Sequence, residues 1–201
     1  MSGGILPLND ETLKVLEQKH PNASDNLEGI ALHGPIKPIN PIVYEEIDES
    51  LVLKAAKMTK GGAGPSGMDA DGWRKPLASR VYGDAGRDLR RALANTIKVI
   101  STDDITDASL EGFLSCRLIP LDKMPGLRPI GVGEVLRRIS GKVIMFISKR
   151  DILDSCSKVQ MCSGQESGSE AAIHAMREMF EQENTDAVLL VDAANAFNSI
   201  N

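Results

Sequence analysis

The 201-residue sequence predicts an α+β fold, mainly helical, with one antiparallel β-hairpin and one further strand. Three observations predict it. Apolar residues recur at helical spacing along several stretches, as at Ile47, Leu51, Val52, Ala55 and Met58. Two apolar runs, residues 117–121 and 127–132, flank a turn containing Met124-Pro125-Gly126. Close to the end, Ala187-Val188-Leu189-Leu190-Val191 is wholly apolar, has the length of a buried strand and stops at Asp192.

Taken in order, residues 9–19 carry the start signal of a short capped helix. Residues 20–41, rich in Pro, Gly and Asn, lack periodicity and predict an irregular arm, so that residues 1–42 form an N-terminal extension. A helix is expected over residues 44–58. The stretch Gly61-Gly62-Ala63-Gly64-Pro65-Ser66-Gly67 must be a loop, because helix and strand interiors both lose stability with so much Gly and Pro. Helices follow over residues 72–79 and 84–100, the second with Leu89, Leu93, Ile97 and Ile100 on one face. After an acidic turn near Asp103, residues 110–114 lead into the hairpin, whose prolines suit edge positions. Two more helices are expected over residues 134–152 and 169–183, and then the strand at 187–191.

Composition narrows the class without naming it. The apolar share of 42% and charged share of 25% are those of a globular chain, and no segment approaches the roughly 18 to 20 apolar residues that span a bilayer. The start, Met1-Ser2-Gly3-Gly4, lacks the features of a signal peptide. Cys116, Cys156 and Cys162 form no metal-ligand spacing with the three histidines, so reduced thiols and a cytoplasmic or nuclear location are expected. Net charge is −5, but its distribution is uneven: residues 112–150 hold eight Lys and Arg against Asp122 and Glu134, whereas residues 165–192 hold seven acids against Arg177. A local basic stripe is what phosphate binding requires. Residues 131–136 lack the third glycine of a dinucleotide fingerprint, and residues 61–67 lack the Gly-Lys-Ser/Thr of a P-loop.

An acid at the exit of a buried strand can face a ligand from a fixed backbone, and Mg²⁺ favours one or two such carboxylates with phosphate oxygens and water. Here Asp192-Ala193-Ala194-Asn195-Ala196-Phe197 resembles motif A of reverse transcriptases. Upstream, Gly64-Pro65-Ser66-Gly67-Met68-Asp69-Ala70-Asp71-Gly72-Trp73 is similar to the loop that opens many retroelement reverse transcriptases. Arg117-Leu118-Ile119-Pro120-Leu121-Asp122-Lys123 and Gly126-Leu127-Arg128-Pro129-Ile130 look like their fingers hairpin. Residues 160–176 resemble the loop and helix before motif A.

The resemblance implies the fingers (residues 43–186) and the first palm strand (residues 187–201) of a truncated right-hand polymerase, an RNA-directed DNA polymerase of a mobile element. It implies that Asp192 holds the catalytic ions, two Mg²⁺ or Mn²⁺ in the intact enzyme. Lys123, Arg128, Ala193, Ala194 and Asn195 would meet the incoming dNTP, and Phe197 would screen its sugar, a rigid ring penalising a buried 2′-hydroxyl. Arg117, Arg137, Arg138, Lys142, Gln160 and Ser169 would contact a primer and its RNA or DNA template. Two other classes are open: a non-catalytic nucleic-acid-binding remnant, and a domesticated structural or interaction fragment. The family's motif C, an aromatic followed by two aspartates, does not occur in these 201 residues, the pair Asp103-Asp104 lying before the hairpin on the wrong side of motif A, and a two-metal mechanism needs carboxylates from both motifs. The isolated chain is therefore expected to give no template-dependent extension of a primer with Mg²⁺ and dNTPs, and extension products on a gel would refute this.

Overall fold

The computed structural model describes residues 4–20, 40–123, 126–156, 160–161, 166–182 and 184–192. Helices dominate: α1 (Asp10–Lys19), α2 (Glu49–Met58), α3 (Ala70–Ala78), α4 (Gly83–Thr102), α5 (Asp107–Leu114), α6 (Val135–Cys156) and α7 (Gly168–Phe180). Short 3-10 turns occupy Pro41–Glu46 and Arg80–Tyr82. Strands β1 (Cys116–Asp122) and β2 (Leu127–Gly133) make an antiparallel hairpin in the register Cys116↔Gly133 to Asp122↔Leu127. The mainly helical α+β class is as expected. No described helix is long and apolar enough to cross a membrane.

The described residues divide within α6 into two compact units, one running to Val143 and the other from Ile144. The first holds the core. In α2 the residues Val52, Ala55 and Ala56 are buried, and in α4 Leu93, Ala94 and Ile97, each set spaced to line one helical face. These helices and α3 pack on one another. Gly86 lets α4 approach α3, since a methyl group there would stand 2.8 Å from the Pro76 carbonyl oxygen. Arg90 Nη1 donates to the Leu77 carbonyl at 2.7 Å, satisfying one of the bare acceptors at the end of α3.

Local chemistry sets most boundaries. Asn9 caps α1 in a reciprocal box with Thr12. The helix expected over residues 44–58 is interrupted, because Asp48 Oδ1 accepts from the Ser50 and Leu51 amides, both at 2.9 Å, and starts a new helix. Ile47 before this cap and Val52 within the first turns are both buried, the pattern of a hydrophobic staple. Similarly, Asp69 accepts from the Gly72 amide at 2.7 Å and starts α3 at Ala70, ahead of the expected residue 72. Residues 107–114 form α5, whose eight residues are too few to show a period.

Within the N-terminal extension, residues 4–6 lie along the outer edge of β1: the Leu6 amide donates to the Pro120 carbonyl, the Asp122 amide donates to the Gly4 carbonyl, both at 2.9 Å, and Ile5 bridges Leu121. Helix α1 packs against β2, with Leu16 buried. In the second unit the predicted strand at residues 187–191 is coil, with Leu189 and Leu190 each 86% exposed. An apolar run becomes a buried strand only where a neighbouring strand accepts its backbone bonds, and among the described residues none pairs with it.

Asp48 yields a pH prediction. Its carboxyl is held below the ordinary carboxylate range, first by the Leu51 amide and then by the Ser50 hydroxyl, with Lys98 adding a smaller attraction. A depressed carboxyl stabilises the fold fully above its unfolded pKa and loses that contribution as pH falls through the folded value. Asp48→Ala should cost about 1 kcal/mol at pH 7, and urea titrations should show the gap closing in acid. A gap independent of pH down to the acid limit of folding would contradict the capping role.

Candidate nucleotide and nucleic-acid site

The hairpin organises the candidate site through its pleat. Opposed residues share a face, so Arg117, Ile119 and Leu121 line up with Val132, Ile130 and Arg128 on one side. Pro120 and Leu127, both buried, belong to the other side. Beyond β1 the Lys123 amide still donates across the turn to the Gly126 carbonyl at 3.0 Å, so Lys123 continues the alternation of Arg117, Ile119 and Leu121. Gly126 adopts φ 92°, a left-handed conformation that suits glycine. Three exposed cations, Arg117, Lys123 and Arg128, thus share the face with half-buried aliphatic side chains. Among the described residues none of the three has an ion-pair partner.

Prolines fit this ladder because of its parity. The Lys123–Gly126 bond makes that pair hydrogen-bonded, so alternate pairs, including Pro120↔Pro129, turn their backbone groups outward. A proline at such a position removes no bond between the strands. The same parity points the Pro120 carbonyl and Asp122 amide toward residues 4–6.

The first turn of α6 fixes the glycine-rich loop. Buried Glu134 accepts from the Ser66 amide at 2.6 Å through Oε1 and from the Ser66 hydroxyl at 2.7 Å through Oε2. Arg138, one turn later, donates through Nη1 to the Lys60 carbonyl at 2.7 Å and through Nη2 to the Gly62 carbonyl. Gly64 lies so close that a methyl group would stand 2.8 Å from the Glu134 nitrogen. A methyl group at Gly62 would lie 3.9 Å from Arg117 Nη2, placing that guanidinium beside the loop. Lys60, Gly61, Gly62, Asp69, Ala70, Asp71 and Arg74 line an open cleft of about 450 Å³. Within it Arg74 pairs with Asp71 and donates to the Thr59 carbonyl at 2.9 Å.

The remaining sequence-predicted residues separate into groups. Arg138 is half-buried and its two Nη groups hold backbone carbonyls, so its observed work is folding the loop rather than presenting charge. Arg137 is exposed, yet Nη1 donates to the Leu114 carbonyl at 2.7 Å and lies 3.7 Å from Cys116 Sγ, tying α6 to the entry of β1. Lys142 is half-buried on α6. Gln160 and Ser169 are exposed and belong to the second unit, Ser169 in the first turn of α7. Asp192 is exposed in coil, and Ala193, Ala194, Asn195 and Phe197 lie outside the described residues. No group of three or more potential metal ligands gathers among the described residues.

The structure brings together Arg117, Lys123 and Arg128 and adds partners the sequence did not reveal: Glu134 and Ser66 across the loop, and residues 4–6 on the hairpin edge. Their only local signal is the glycine-rich composition, which demands a close neighbour without naming it. Comparison with protein-family models, with curated proteins and with solved structures returns no match.

Gly64→Ala should destabilise the chain by about 1–3 kcal/mol, the cost of overpacking where backbone meets backbone, as read by urea unfolding at neutral pH. An unchanged midpoint would show that the loop does not depend on this close approach.

Proposed function

We propose that this chain is a fingers region of an RNA-directed DNA polymerase from a mobile element, with its hairpin gripping the triphosphate of a dNTP. The observation that carries the reading is the shared hairpin face of Arg117, Lys123 and Arg128, three cations without ion-pair partners among the described residues. A triphosphate needs charge neutralisation at several oxygens. Lys123 supplies a compact point charge at the turn. Arg128 supplies a planar fork that can bond phosphate and lie over the base. Arg117, farther along the same face and beside the glycine-rich loop, would meet the backbone of a nucleic-acid strand. In this reading the primer 3′-hydroxyl attacks the α-phosphate of the dNTP and pyrophosphate leaves. Asp192 is the acid for Mg²⁺ and Phe197 the ring against the sugar, both belonging to the same resemblance.

Binding of dATP to the full chain tests the reading. Lys123→Ala and Arg128→Ala should each weaken it by roughly 10- to 100-fold, the worth of a hydrogen bond to a charged group, while Lys57→Ala on α2 should not. Failure of the unaltered chain to bind dATP, or equal affinities in all variants, would sink it. A second reading, nucleic-acid binding without chemistry, draws support from the basic stretch 112–150, none of whose cations joins an ion pair among the described residues. It expects oligonucleotide binding that needs no dNTP and weakens steeply with salt.

A further inference from the structure

We infer that residues 4–6 and Lys19 are positioning residues for the hairpin turn, making the start of the chain part of the triphosphate grip; this rests on the reading of Lys123 and Arg128 given above. A two-stranded hairpin by itself is marginal in water, and one rooted in the fold at its base gains from support at its far end. Here that end is held from two sides. On the β1 edge the Leu6 amide bonds the Pro120 carbonyl and the Gly4 carbonyl accepts from Asp122, the residue immediately before Lys123. On the β2 side Lys19 Nζ, at the end of α1, donates to the Leu127 carbonyl, the residue immediately before Arg128.

The attachment is local to the turn. Ile5 bridges Leu121, which is itself paired with Arg128, so the added backbone covers the last pairs of the ladder and leaves Cys116 to Ile119 untouched. Each of the two cations is therefore preceded by a residue whose backbone is bonded to the N-terminal segment. Helix α1 carries its own anchor, since Leu16 is buried and α1 packs against β2. Binding a triphosphate between two side chains requires their backbones to hold a fixed separation, and every bond that removes turn motion beforehand lowers the ordering cost at binding. Nothing in these residues meets the ligand. Their effect passes through the hairpin backbone, which distinguishes them from the cations themselves.

The test uses the full 201-residue chain and dATP as probe. Leu6→Pro deletes the amide donor to Pro120, whereas Leu6→Val keeps it. Leu6→Pro should speed hydrogen exchange at the Asp122 amide, leave exchange in α2 and α4 unchanged, and weaken dATP binding by about three- to tenfold, the range expected for one net hydrogen bond. Leu6→Val should restore both. Lys19→Met, on the other side of the hairpin, should weaken dATP in the same direction and decides the matter if Leu6→Pro does not fold. Faster exchange at Asp122 with unaltered dATP affinity would overturn the inference alone. Absence of dATP binding by the unaltered chain would overturn the triphosphate reading and this inference with it.

Discussion

The contact between the first turn of α6 and the glycine-rich loop carries much of the architecture of the first unit. Glu134 and Arg138 are one helical turn apart, and between them they take hold of residues 60, 62 and 66. The carboxylate supplies acceptors to an amide and a hydroxyl, and the guanidinium supplies donors to two carbonyls. A loop with so many glycines loses much conformational entropy on ordering, and these charge-assisted bonds offset part of that loss. The same loop leads from α2 to α3, so its placement also sets where those two helices enter the core. Removing Glu134 would take the acceptor from the Ser66 amide and hydroxyl, and removing Arg138 would take the donor from the Lys60 and Gly62 carbonyls.

From that clamp the hairpin inherits its orientation. β2 runs directly into Glu134 and α6, and Arg137 returns from α6 to the carbonyl of Leu114 at the entry of β1. The base of the hairpin is thereby tied at both strands, while its turn end is tied by residues 4–6 and Lys19. Cations on the intervening face stand on backbone that is fixed at both ends. For the triphosphate grip proposed above, such preorganisation lowers the ordering cost of binding.

Legibility in the sequence followed the range of the interaction. Helix α1, the glycine-rich loop, α4 and the hairpin depend on caps, turn residues and periodicity within a few positions, and these were readable. That Arg117, Lys123 and Arg128 share one face follows from the register of the two strands. What escaped was long-range: Arg138 finds its carbonyls 78 and 76 residues away, and Ser66 meets Glu134 across 68. A pair of arginines in a basic stretch looks the same whether it faces phosphate or its own backbone. The run at residues 187–191 failed for a related reason. Apolar composition states a preference for burial, but only a partner strand can fulfil it.

The paired prolines of the hairpin have a consequence beyond the ladder itself. Pro120 and Pro129 both direct a nitrogen without hydrogen away from the partner strand. On the β1 side the chain's own beginning already occupies the edge. On the β2 side any strand approaching from another molecule would meet a missing donor in the middle of the row. One edge is thus filled and the other is a poor template, so the hairpin can display aliphatic side chains beside its cations with little tendency to recruit further strands into a growing sheet.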